Sequence, residues 1–114
     1  MKTLLLAALL LATQAHANYE NGEEFCHEEY GYASFCMPVK NYGDEALLAY
    51  FYPRFSTGLV QPTGSFTMIE MYGKTLDINR VRIVIQATGE ELYDGQIQNK
   101  VGVVCDQHFC EQWN

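Results

Sequence analysis

Three groups of side chains in this chain have the types to do chemistry. Glu23, Glu24, Glu28 and Glu29 flank Phe25-Cys26-His27 as two carboxylate pairs. Paired carboxylates act as acid and base on a glycosidic bond when they face each other about 5 to 9 Å apart across a cleft. His27 and His108, with nearby acids, would build a metal-dependent site if the two ends of the chain met. Cys26, Cys36, Cys105 and Cys110 supply two disulfides, or in part a zinc site in which His108 and Cys36 join Cys105 and Cys110. A catalytic thiol needs a Cys-x-x-Cys pair or an activating partner, and neither cysteine spacing is of that kind. Gly-x-Ser-x-Gly elbows, phosphate loops, dinucleotide turns and His-Glu-x-x-His helices are absent from the sequence. A domain this small rarely builds a glycosidase cleft, and His27 and Glu28 would point to opposite faces if they lay on a strand. The expectation is therefore no catalytic residue, no metal ligand set and no cofactor.

The elements that position these residues begin after a leader. Met1-Lys2 precedes the apolar run Leu4 to Ala12, and Ala15-His16-Ala17 offers small residues where a signal peptidase reads them. Residues 1–17 read as a signal peptide and residues 18–114 as a single β-rich domain. The apolar run is about half the ~20 residues a membrane-spanning helix needs, so no membrane insertion is expected after cleavage. The predicted cut is not followed by a lipid-accepting cysteine, and no Asn-x-Ser/Thr sequon occurs. A bacterial periplasmic or secreted location fits both facts. In such a compartment an even set of cysteines favours disulfides. Four cysteines allow three connectivities. The local pairs Cys26–Cys36 and Cys105–Cys110 suit turns at 29–32 and 106–109. Bridges joining the two ends would close longer loops, worth more than ~4 kcal/mol each against ~3 for a short one.

Charge narrows the partner. The full chain carries 14 Asp and Glu against 7 Lys and Arg, a formal charge of −7. Without Lys2 the predicted mature domain has six bases and a charge of −8. An excess of this sign argues against nucleic acid, whose affinity comes from cationic contacts to phosphate. Residues 18–32 hold five acids and no Lys or Arg, and residues 101–114 hold two acids and no base. Tyr30, Tyr32 and Tyr42 lie in turn-rich sequence beside the acids, and tyrosines on loops are good contact anchors. The candidate partner-binding set is thus Glu23, Glu24, Glu28, Glu29, Tyr30, Tyr32 and Tyr42, facing a basic protein.

Turn signals divide the chain into segments of four to nine residues, which favours short strands. Arg80 to Ala87 alternates, with Val81, Ile83, Ile85 and Ala87 on one face. Lys100 to Cys105 repeats the pattern, and Ser65 to Tyr72 is rich in strand formers; these three are expected in one sheet. Asp94-Gly95 suits the tip of a type I′ hairpin. Glu24 to Cys26 and Ala33 to Val39 read as a further strand pair. In 44–52, Asp44 would cap a short helix, but Tyr50-Phe51-Tyr52 before Pro53 prefers a strand. The fold class that follows is all-β, a small antiparallel sandwich or barrel stapled by disulfides; the alternative is α+β with one short helix near 44–52. The function expected of such a domain is non-catalytic binding, in concrete form inhibition of or immunity against a basic cell-wall hydrolase or toxin. The alternative is a structural or accessory subunit of a bacterial envelope assembly that adds strands to a neighbour's sheet.

Overall fold

The computed structural model describes residues 19–54, 56–73 and 76–114. The expected signal peptide lies outside the described residues. The elements are α1 (Gly22–Tyr30), β1 (Phe35–Asn41), β2 (Leu47–Tyr52), β3 (Ser56–Val60), β4 (Ser65–Glu70), β5 (Arg80–Ile85), β6 (Glu91–Gln96), β7 (Val103–Cys105) and β8 (Cys110–Gln112). Two four-stranded sheets, in the orders β4-β1-β7-β8 and β3-β2-β5-β6, pack face to face. The fold is the mostly-β sandwich read from the sequence.

Alternation places the core as expected in the second sheet. Leu47, Ala49 and Phe51 of β2 lie opposite Ile85, Ile83 and Val81 of β5, and all six are buried. They meet Phe35, Met37, Val39 and Val103 from the first sheet. Burying a Phe or Met side chain this completely contributes about 1.5–3 kcal/mol each. The stretch 44–52 supplies the strand Leu47–Tyr52, and the hairpin Cys105–Cys110 closes on itself with Cys105 opposite Cys110. The disulfides are the local pairs, Cys26–Cys36 and Cys105–Cys110.

Four expectations are corrected. Glu24–Cys26 is not a strand but the middle of α1. Asn21 caps that helix: its Oδ1 accepts the Glu24 amide at 2.8 Å, and Glu24 Oε1 accepts the Glu20 amide at 2.7 Å. The first bond satisfies a donor that a helix start leaves free, and the second ties the residue before the cap to the first turn. Asp94-Gly95 is not a hairpin tip but lies inside β6, opposite Arg82 and Val81. The β5–β6 turn is instead residues 86–90, where Gly89 takes the positive φ of 78°. Ser65–Tyr72, Arg80–Ala87 and Lys100–Cys105 do not share a sheet: β5 belongs to one layer and β4 and β7 to the other. Finally, the strand expected from Lys100 begins only at Val103.

Pro38 explains that late start. β1 is a central strand, paired antiparallel with β4 and parallel with β7. Proline has no N–H to give a neighbouring strand. The parallel ladder therefore starts at Val39 opposite Val103. Upstream, Asn99 stands in for a strand: its Oδ1 accepts the Cys36 amide at 2.9 Å and its Nδ2 donates to the Ser34 carbonyl at 3.0 Å. Lys100 then donates its amide to the Cys36 carbonyl at 2.8 Å. Between these contacts Gly102 adopts φ 145° against Pro38, and a Cβ there would stand 2.7 Å from the Pro38 carbonyl oxygen.

On the opposite side the layers close through a missing side chain. A Cβ on Gly58 of β3 would meet the Phe66 ring of β4 at 2.5 Å, so glycine lets the two sheets touch.

Asn41 is a polar residue in the core, 1% exposed. Its Nδ2 donates to the carbonyls of Glu45 (2.8 Å), Gln61 (3.3 Å) and Val60 (3.4 Å), and its Oδ1 accepts the Gly43 amide at 2.8 Å. One side chain thus fastens the end of β1 to the β1–β2 loop and to β3. Asn41→Ala leaves buried groups unpaired, and urea denaturation is expected to show a loss of about 1–3 kcal/mol. A loss near zero would show that water replaces the amide without cost.

Candidate functional site

α1 lies across the outer face of the first sheet because its buried side is aromatic and sulfurous. Phe25 and Cys26 pack with Cys36 and Trp113, and Tyr19, Tyr30, Ile69 and Val104 complete this second, smaller core. Phe25 is its centre, with ring centroids 5.2 Å from Tyr19, 5.6 Å from Trp113 and 6.0 Å from Tyr30. Gly22 begins the helix where a Cβ would stand 2.5 Å from the Val101 carbonyl, and its amide donates to the Trp113 carbonyl at 2.7 Å. The two ends of the described residues therefore meet although neither disulfide joins them.

The outward side of α1 carries Glu23, Glu24, His27, Glu28 and Glu29, all exposed. Glu23 and Glu24 stand in the first turn, where the helix dipole favours negative charge. Glu28 and Glu29 stand in the last turn, where it opposes negative charge. Glu29 accepts a hydrogen bond from the Tyr19 hydroxyl. That bond, followed by burial and the charges of Glu29, Glu28 and Glu24, pushes the Tyr19 phenol up to about 12. Burial pushes the Lys40 ammonium of β1 down from its ordinary value, with Glu29 acting in the opposite direction.

Other cations are occupied on the far layer. Arg80 holds Asp94 through two bonds of 2.6 and 2.7 Å, and Arg82 holds Glu91 at 2.7 Å; these are the ion pairs among the described residues. The Arg80 guanidinium holds the Asp94 carboxyl below its ordinary range. Both guanidinium groups lie over tyrosines of β2, Arg80 over Tyr52 and Arg82 over Tyr50. The acids of α1 have no such partner among the described residues.

The structure gathers some of the expected site residues and separates others. Tyr30 and Tyr32 lie 6.4 Å apart at the C-terminal end of α1, and Tyr32 is 65% exposed. Tyr42 lies past the other end of β1, where it stacks on Lys40 at 5.4 Å and donates its amide to the Cys105 carbonyl. Cys36 and Asn41 are five strand residues apart, about 17 Å. His27 adjoins Cys26, bridged to Cys36; His108 sits in the hairpin that Cys105 opens opposite Asn41. The two histidines thus lie at opposite ends of β1. Asp106, one of the C-terminal acids, is also at that far end, where it accepts the His108 and Phe109 amides. All four cysteine sulfurs are in disulfides, and among the described residues no three His, Cys, Asp or Glu side chains gather to hold a metal.

Tyr72, expected within the strand Ser65 to Tyr72, lies outside it. β4 ends at Glu70, whose carbonyl accepts the Ser34 amide, so Tyr72 and Tyr32 lie beyond the same end of the β1–β4 ladder. Tyr72 is 91% exposed with φ 63°, followed by Gly73 at φ 78°. The Tyr-Gly-Lys sequence was the available signal for a turn. No helix among the described residues is long and apolar enough to cross a membrane. Comparison with protein-family models, curated proteins and solved structures finds no match.

The Tyr19–Glu29 bond has a sign that alkaline titration reads. A phenol raised in the folded state contributes stability below pH ~10, and that contribution is lost as pH rises from ~10 to about 12. The difference in ultraviolet titration between wild type and Tyr19→Phe should show one phenol ionising near 12, and Glu29→Gln should bring it back toward 10. A Tyr19 midpoint near 10 in the wild type would refute the bond.

Proposed function

We propose that the protein is an exported, non-catalytic binding module that engages a basic protein through the outward face of α1 and the tyrosines at its C-terminal end. Inhibition of, or immunity against, a basic cell-wall hydrolase or toxin is its concrete form. The observation that carries this reading is the placement of Glu28 and Glu29. Folding leaves two carboxylates in the turn where the helix dipole opposes them, beside three other acids and near exposed Tyr32, with exposed Tyr72 beyond the same end of the β1–β4 ladder as Tyr32. A local conflict of this kind is a cost that a cationic partner would relieve. The tyrosine rings would then supply contact area at small entropic cost. Two disulfides fit an oxidising periplasmic or extracellular compartment.

The reading predicts a separation of rates. Biosensor binding to basic lysozymes and toxin domains should show association that slows steeply as salt is raised. Glu28→Gln with Glu29→Gln should slow association about tenfold at low salt, while Tyr32→Ala and Tyr72→Ala should mainly speed dissociation. Absence of binding at low salt, or affinity indifferent to salt, would overturn the proposal.

Stability should move the other way. Glu28→Gln is expected to stabilise the fold by about 0.3–1 kcal/mol in thermal denaturation, and Glu23→Gln to destabilise it by a similar amount. A Glu28→Gln variant less stable than wild type would mean that this carboxylate serves the fold instead.

A further inference from the structure

The side of the sandwich away from the Gly58–Phe66 contact is closed differently. Between β6 and β8, a cleft of about 540 Å³ is lined by five carboxamides, Asn79, Gln96, Gln98, Gln112 and Asn114, over Ile97 and Val101. That volume is within the range of small-molecule sites. Residues 19–114 contain eleven Asn and Gln; five of the eleven gather here, and no charged side chain among the described residues does. The neighbouring depression shares Val101 and Asn114, adds Asn21, Asn99 and Trp113, and carries one charge of each sign, Glu23 and Lys100.

The cleft has a fixed frame. Gln112 Nε2 donates across the seam to the Gln96 carbonyl at 2.9 Å and to the Tyr93 hydroxyl at 3.3 Å. Asn114 Nδ2 donates to Gln112 Oε1 at 3.4 Å. The Asn79 backbone is held on both sides, its amide donating to Tyr52 at 3.0 Å and its carbonyl accepting from Ile97 at 2.9 Å. The side chains of Asn79, Gln96 and Gln98 are exposed and make no hydrogen bond among the described residues. Each carboxamide tip offers two N–H donors and one carbonyl acceptor without charge. A sugar hydroxyl both donates and accepts, so neighbouring hydroxyls of a pyranose match such a row, and the ring's C–H face matches Ile97 and Val101. An anionic ligand would find no cation among the described residues that line the cleft and a domain charge of −8 around it.

We propose that this seam cleft is a binding site for a neutral glycan, a hexose oligosaccharide with free hydroxyls or N-acetyl groups. It is separate from the acidic face of α1 and does not depend on the reading given above. The test is a titration of the ¹⁵N-labelled, disulfide-bonded protein followed by the side-chain NH₂ resonances. Tri-N-acetylchitotriose and maltotriose are the two neutral probes, and a trisaccharide of galacturonic acid is the anionic one. Saturable shifts confined to the cleft carboxamides with either neutral sugar, in the millimolar range, support the proposal, and the sugar that binds tighter names the class. Gln98→Ala should weaken that binding about tenfold with the remaining spectrum unchanged. No saturable shift with either neutral sugar, shifts outside the cleft, shifts indifferent to Gln98→Ala, or tighter binding of the anionic sugar would each overturn it.

Discussion

Burial of β1 on both faces is the constraint on which the molecule depends. Phe35, Met37 and Val39 point into the sandwich, and Cys36 points outward into the second core under α1. A strand covered on one side by a sheet and on the other by a helix has no solvent face, so its neighbours must be supplied from distant sequence. β4 and β7 come from 24 or more residues downstream. The parallel partner is the costly one, because a parallel pair needs a long connection and here the whole second sheet is traversed between β1 and β7. α1 and the C-terminal residues meet as a consequence of that pairing, with Trp113 against Phe25, rather than through any covalent link.

Pro38 converts this constraint into surface relief. With no N–H at the middle of β1, the chain at 99–102 cannot run as a regular strand, and it leaves the ladder through a positive φ at Lys100 and again at Gly102. Asn99 restores the lost pairing from its side chain. The same detour sets Gln98 and Val101 at the rim and floor of the seam cleft. An irregularity at one proline thus helps to shape a concave surface that no charged side chain among the described residues lines.

Strand periodicity was legible where one face is buried and the other wet. Val81, Ile83 and Ile85 could be read directly, as could the strand before Pro53. The hairpin Cys105–Cys110 was legible too, because both its turn and its bridge are local. The helix was not: Asn21-Gly22 has the composition of a turn, and only the Glu24 carboxylate reaching back to Glu20 distinguishes a cap from a bend. Asp94-Gly95 misled for the opposite reason, since Asp94 is held in the sheet by Arg80 across the ladder. The division into two sheets follows from the choice of β1 over β5 as the partner of β7, a long-range choice that no local pattern encodes. The acidic face of α1 was visible as a charge run, but the carboxamide cleft draws residues from 79 to 114 and has no signature in sequence order.

The disulfide pattern has a consequence for how the chain is made. The cysteines are joined in their order along the polypeptide, first with second and third with fourth. In an oxidising compartment, coupling of thiols in the order in which the chain is made would therefore produce the native set, since every correct partner is also the next to arrive. Consecutive pairing of this kind asks for an oxidant and not for the reshuffling of crossed bridges.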